Sequence, residues 1–157
     1  MLMIRPYQES DAETLWSLFY HTVRTINRRD YTQAQVEAWA PAAMSMDVWR
    51  TTLQKKATYV AEQDGKILAY AVLQSDGLID HFFCHHQHQR QGLGRTLMTY
   101  LETEASRKKI DTLYAAVSIT AEPFFTQSGF EVIKEQIVTR RGQTLRNIVM
   151  KKTATST

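Results

Sequence analysis

The chain has 157 residues, 43% of them hydrophobic and 22% charged, with a formal net charge of +3. That fits one globular domain able to bury about two thirds of its unfolded surface. No apolar run approaches the roughly 20 residues of a membrane span, and Met1-Leu2-Met3-Ile4-Arg5 does not read as a secretory leader. A single cysteine, Cys84, excludes an internal disulfide and fits a reducing compartment, so a cytoplasmic location is expected.

In chain order, Leu2 to Tyr7 reads as a strand. Ser10 and Glu13 stand at capping-box spacing ahead of a helix with apolar positions Leu15, Leu18, Phe19, Val23 and Ile26. Thr32 and Gln35 repeat the signal before a helix carrying Val36 and Trp39 that ends near Pro41, and a shorter helical segment follows around 46–54. Strands over 57–63 and 66–74 are joined by Asp64-Gly65, and Asp76-Gly77 marks another tight turn. Leu78 to Cys84 is a fourth, apolar strand. Leu93, Leu97, Met98 and Leu101 then recur at helical spacing. Thr112 to Ser118 reads as a strand buried on both faces. Thr120 is expected to cap a short helix through Pro123, Phe124 and Phe125, closed by Gly129. Segments 130–139 and 143–151 form a last hairpin over Arg141-Gly142, and 153–157 is expected to be a disordered tail. The α/β order is β-α-α-β-β-β-α-β-α-β-β, with no linker or repeat.

Between the fourth strand and the helix after it stands Gln89-Arg90-Gln91-Gly92-Leu93-Gly94. A strand that feeds a helix through such a turn leaves N–H groups free at the positive end of the helix dipole, a seat for phosphate oxygens. Gly92 and Gly94 have no Cβ to hold an anion away from the backbone. A Walker A loop needs Lys-Ser/Thr where Arg95-Thr96 stands, and a dinucleotide fingerprint needs a small residue where Leu97 stands. The pattern Gln/Arg-x-x-Gly-x-Gly/Ala instead resembles the acetyl-coenzyme A loop of the GNAT N-acetyltransferase superfamily. A second stretch carries the same resemblance. Ala121, Phe124, Gly129 and Phe130 match the family's Asn-x-x-Ala-x-x-Phe-Tyr-x-x-x-Gly-Phe, with Ser118 in place of Asn and Phe125 in place of Tyr. The order of elements matches as well, so the resemblance spans residues 2 to 151.

The resemblance implies a GNAT fold over residues 1–152, a mixed, largely antiparallel central sheet with helices on both faces. It implies acetyl-coenzyme A as donor, an amine of a small molecule or peptide as acceptor, and direct transfer. Residues Gln89, Arg90, Gln91, Gly92, Leu93, Gly94 and Arg95 would hold the diphosphate. Phe83 and Cys84 would offer backbone to the pantetheine arm, and Ser118 and Phe125 would flank its thiol end. A homodimer fits the family. Because Phe125 has no proton to give, a tyrosine general acid at that position is in doubt. Ser118, water or Tyr31 stands as a substitute, and a sensor that binds acetyl-coenzyme A without catalysis is the alternative reading.

A lysine-like ammonium lies about three pH units above neutrality in pKa, so supplying the free amine costs about 4 kcal/mol and calls for a base. Asp80 and His81 on the fourth strand are the candidates, on opposite faces by alternation unless a bulge intervenes; Glu37 and Glu122 stand outside. Tyr31 and Trp39 are the candidate acceptor-binding residues. The run Cys84-His85-His86-Gln87-His88 lacks a second ligand pair at zinc spacing, and no metal is expected. The pairs Arg28-Arg29, Lys55-Lys56, Lys108-Lys109, Arg140-Arg141 and Lys151-Lys152 are scattered, and read as solvated faces rather than a nucleic-acid stripe.

Overall fold

The computed structural model describes residues 1–154. Its order is β1 (Leu2–Pro6), α1 (Ala12–Thr25), α2 (Gln33–Trp39), α3 (Met46–Gln54), β2 (Ala57–Gln63), β3 (Lys66–Leu73), β4 (Ile79–Cys84), α4 (Leu93–Arg107), β5 (Thr112–Ser118), α5 (Glu122–Gln127), β6 (Glu131–Arg140) and β7 (Gln143–Thr153). The capping box at α2 forms as expected: Gln35 N–H donates to Thr32 Oγ1 at 3.1 Å, and Thr32 N–H to Gln35 Oε1 at 2.8 Å. That expected at Ser10 and Glu13 does not form. A 3₁₀ turn over Glu9–Asp11 precedes α1, and the buried Asp11 carboxylate accepts Gln8 N–H at 2.8 Å and the Arg5 guanidinium at 2.9 and 3.0 Å. A charged acceptor with a bidentate arginine outcompetes a serine hydroxyl.

Strands β1 to β4 form one antiparallel sheet in that order, and its two faces carry separate cores. Along β3 the side chains alternate. Tyr70 and Val72 face the cluster of α1, α2 and α3, while Ala69, Ala71 and Leu73 face the cluster of α4. Small residues at Ala61, Ala69 and Ala71 let α4 sit close to the sheet through Leu97, Met98 and Leu101. The second sheet is antiparallel in the order β5-β7-β6. On β5 only Leu113, Ala115 and Val117 are buried, with Tyr114 and Ala116 exposed, so the strand expected to be buried on both faces is buried on one. Strand β7 runs on through Thr153, which pairs with Thr112; the remainder of the expected tail, 155–157, lies outside the described residues.

Among the described residues the backbones of the two sheets pair at one place. Leu78 bridges Tyr114 in parallel, with Tyr114 N–H donating to Gly77 O at 2.9 Å. Beyond that bridge β4 and β5 pair with each other no further. Gly77 is a glycine by necessity: its φ is +95°, and a Cβ there would lie 2.1 Å from Thr112 O. The join therefore closes one end of a wedge whose other end opens toward Cys84 and Ser118.

Candidate active site

Strand β4 borders the wedge with an unpaired backbone edge. His85 N–H donates to Leu68 O on the β3 side at 2.7 Å. Backbone direction alternates along a strand, so Phe83 turns toward β3, and Cys84 and Phe82 turn toward the wedge. The Cys84 carbonyl is already occupied, by Thr22 Oγ1 at 3.0 Å and Gln89 Nε2 at 2.9 Å. Thr22, buried on α1, thus fixes the end of β4; only its burial at an otherwise apolar helix position marks it. The Cys84 thiol is half-buried, and desolvation pushes it up to about 12, so it packs as an apolar group rather than acting as a thiolate.

All seven residues from Gln89 to Arg95 line the cavity, and they take different parts. Gln89 spends its amide hydrogens on Cys84 O and His85 O, at 2.9 and 3.1 Å, and so positions the loop. Gly92 has φ of +80° and open space where a Cβ would point, so its backbone is accessible. Gly94 is a packing glycine: a Cβ there would lie 2.8 Å from Phe124 Cε1, which seats the start of α4 on α5. Gly92 is the N-cap of α4 and brings no side-chain acceptor. Among the described residues the N–H groups of Leu93, Gly94 and Arg95 have no hydrogen-bond acceptor, and the exposed guanidinium groups of Arg90 and Arg95 have no ion-pair partner. The set is a diphosphate's complement: free amides, a helix dipole and two cations.

On the α1 side of the wedge, a bulge at Asp80 breaks the alternation of β4. Leu73 pairs with Ile79 but Val72 pairs with His81, leaving Asp80 over. Asp80 and His81 consequently share a side, with Asp80 Oδ2 3.9 Å from His81 Nε2 and 2.8 Å from Lys56 Nζ. His81 packs among Phe19, Trp49, Tyr70 and Phe83, and burial holds its pKa below the ordinary value. Its Nδ1 lies 3.1 Å from the hydroxyl of Tyr70, which is fully buried. That hydroxyl has His81 Nδ1 as its sole acceptor among the described residues. A buried O–H left undonated costs about 1–3 kcal/mol. Tyr70 therefore donates, His81 carries its own proton on Nε2, and Asp80, which also accepts from Lys56, is the acceptor of the pair. Glu37 and Glu122 do not line the cavity.

Ser118 closes the wedge from the β5 side. Its Oγ accepts Asn27 Nδ2 at 3.1 Å and Ala121 N–H at 3.0 Å. Both lone pairs are then engaged, leaving the hydroxyl proton as its free function. That contact also replaces the expected cap, because Ala121 rather than Thr120 is the N-cap of α5. Asn27 is buried in the turn after α1, and nothing in its sequence surroundings marks it. Tyr31 is a strut: its hydroxyl donates to Arg146 O at 2.6 Å and accepts Ile119 N–H at 3.0 Å, so its proton is spent. Trp39 packs edge-on against Tyr31 and stays half-buried on the cavity wall. Phe125 is buried against Phe82 and Phe130 and contributes core, with one face to the cavity.

These surfaces share one cavity of about 1590 Å³, running from the glycine loop through the wedge to the aromatic chamber. A pocket for one small ligand holds roughly 300–1,000 Å³, so the space suits two. Beside the loop, the rings of His85 and His86 stack at 4.7 Å, with His88 at 5.1 Å from His85 and His21 at 5.5 Å from His86. No group of three His, Cys, Asp or Glu among the described residues converges on a metal position. No helix among them is long and apolar enough to cross a membrane.

Comparison with known proteins places the fold. The acetyltransferase (GNAT) domain model matches residues 27–154. The chain is 29% identical over 150 residues to the N-acetyltransferase YafP of Escherichia coli, covering 96% of this chain and 95% of that one. It superposes on the crystal structure of a GCN5-related N-acetyltransferase from Rhodopseudomonas palustris with TM-score 0.93 at 28% identity, covering 97% of this chain and 95% of that one. The PaiA N-acetyltransferase of Thermoplasma acidophilum, crystallised with coenzyme A, shares the fold at TM-score 0.82 and 16% identity, over 98% and 99% of the two chains. The wedge between β4 and β5, the glycine loop ahead of α4 and these matches converge: the chain belongs to the GNAT acetyltransferase family and is an acyltransferase.

Proposed function

We propose that the protein transfers the acetyl group of acetyl-coenzyme A to a primary amine by direct attack within a ternary complex. The observation that carries this reading is the single cavity joining a phosphate-type loop, an unpaired strand edge and a separate aromatic chamber. Coenzyme A in the Thermoplasma acidophilum relative, which has the same fold, supports the donor. The free amides of residues 93–95 and the cations Arg90 and Arg95 bind the diphosphate, and the wedge-facing backbone of Phe82 and Cys84 accompanies the pantetheine arm. The amine nitrogen attacks the thioester carbonyl, its C–N bond forms as the C–S bond breaks, and the nitrogen's proton leaves toward Asp80, directly or through water. Asp80 suits that task because the β4 bulge sets its carboxylate on the cavity wall, on the same side as His81. Ser118 directs its free O–H at the departing sulfur, which with a thiol pKa near 8.5 needs stabilisation more than full protonation.

Removing that donor isolates its contribution. Ser118→Ala should lower kcat for amine-stimulated thiol release by about 10–100-fold, with little change in acetyl-coenzyme A affinity. Asn27→Ala, which leaves the hydroxyl unheld, should give a smaller loss. Wild-type kcat in Ser118→Ala would remove the serine from the mechanism.

A further inference from the structure

The chamber on the α1 side of the wedge is apolar where it is concave. Trp16, Trp39 and Phe83 line it half-buried. Their rings are fixed by neighbours: Trp16 lies 5.4 Å from Phe19 and 5.2 Å from Trp49, and Trp39 lies 5.6 Å from Tyr31 and 6.3 Å from Phe83. Rigid aromatic faces turned into a concavity present apolar surface that the protein itself leaves uncovered. The apolar body of a ligand covers it at low entropic cost.

The rim of the same chamber is cationic. Arg29 comes from the turn after α1, and Arg140 and Arg141 from the tip of the β6–β7 hairpin, yet all three line one cavity. Helix α2 brings them together. Arg141 Nη1 donates to Ala38 O at 2.7 Å, and Gln35 Nε2 to Thr144 O at 2.8 Å, which fastens the hairpin beside Trp39. Arg29 and the Arg140-Arg141 pair, scattered in sequence, thus line the same cavity. Against these cations, the cavity's acids are Asp30, Asp80 and Glu102. Asp80 is matched by Lys56 at 2.8 Å, and Glu102 by Lys152 at 3.0 Å, leaving Asp30 alone to oppose three arginines. A carboxylate at this rim is attracted, and a second ammonium is repelled.

We infer that, granted the acetyl-transfer reading above, the acceptor is a primary amine on an aromatic or large apolar body that also bears a carboxylate, as an aromatic α-amino acid does. Trp16, Trp39 and Phe83 take the body, Arg29 and Arg140 face the carboxylate, and polycationic amines are selected against.

Five amines separate the terms: phenylalanine, phenylethylamine without the carboxylate, glycine without the ring, methylamine with neither, and spermidine as polycation. The readout is kcat/KM for thiol release by the intact protein, with acetyl-coenzyme A affinity titrated in the same preparation. Phenylalanine is expected to exceed phenylethylamine and glycine by at least tenfold each, with spermidine lowest. Arg29→Ala and Arg140→Ala should narrow the phenylalanine-to-phenylethylamine gap several-fold, and Trp39→Ala the phenylalanine-to-glycine gap. Spermidine equal to or better than phenylalanine, indifference among the five, or no turnover of any despite bound acetyl-coenzyme A would each overturn the acceptor inference and leave the donor site standing. Absence of acetyl-coenzyme A binding would overturn the reading on which it rests.

Discussion

The glycines of this chain are alike in sequence and unlike in purpose. Gly92 keeps φ of +80° over open space, Gly94 makes room for Phe124, and Gly77 lets two sheets touch. The last is the most exacting. A side chain at position 77 meets both a left-handed backbone angle and a backbone oxygen, Thr112 O, that cannot rotate away. Backbone strain of about 1–3 kcal/mol and overpacking of a similar size predict that Gly77→Ala costs about 2–5 kcal/mol. Gly65→Ala is the control, because its φ is also positive but nothing lies within 4 Å; its cost should stay near the strain alone. Chemical denaturation of both variants checks this, and equal losses would show that the join tolerates a Cβ. From sequence, Asp76-Gly77 was legible only as a turn, since the contact that demands glycine comes from a strand far along the chain. Ser118 shows the same limit in reverse. Its place at the end of β5 could be read, but Asn27, which takes one of its lone pairs, comes from a turn across the wedge.

At the scale of elements, periodicity located the strands and helices within a residue or two, because it is local, while of the expected N-terminal caps only that of Thr32 and Gln35 formed. What periodicity could not supply was the bulge in β4. One unpaired residue, Asp80, puts it on the same side as His81, where simple alternation separates them. The histidines on and after β4 also give that element a pH signature. Burial holds His81, His85 and His86 below their ordinary pKa, with repulsion from neighbouring histidines and Lys66 adding at His85 and His86. The folded state therefore binds fewer protons than the unfolded chain, in which histidine titrates near 6.5. Their stabilising contribution is full above that pH and is lost as pH falls through the lowered folded values. The melting temperature should thus decline between about pH 6.5 and 5.5, above the range in which most carboxylates titrate. His85→Gln combined with His86→Gln should flatten that slope without abolishing it, because His81 remains. A melting temperature that is level or rises over this interval would contradict the assignment.

For the molecule as a whole, two antiparallel sheets joined at Leu78 and Tyr114 leave the large cavity between them by failing to pair further. The fold class and glycine loop were visible in sequence because each is written in contiguous residues. The chamber was not, since it assembles Trp16, Trp39, Phe83 and the rim arginines from α1, α2, β4 and the β6–β7 hairpin. Tyr31, expected as a binding residue, lines the cavity and also ties β7 to the segment after β5 through its hydroxyl; an aromatic beside a pocket and an aromatic that holds it open look identical in one dimension. Everything proposed for catalysis rests on the loop and wedge as the seat of acetyl-coenzyme A. Calorimetric titration of the wild type beside Gly92→Glu tests that most directly. Position 92 is exposed with open space around it, but a glutamate there puts negative charge at the proposed diphosphate seat. The account predicts saturable binding to the wild type with about one equivalent per chain, and affinity reduced by at least about 100-fold in a variant that melts cooperatively, more than 2.7 kcal/mol by the usual conversion. Equal affinity in the two proteins, or none in the wild type, would contradict it.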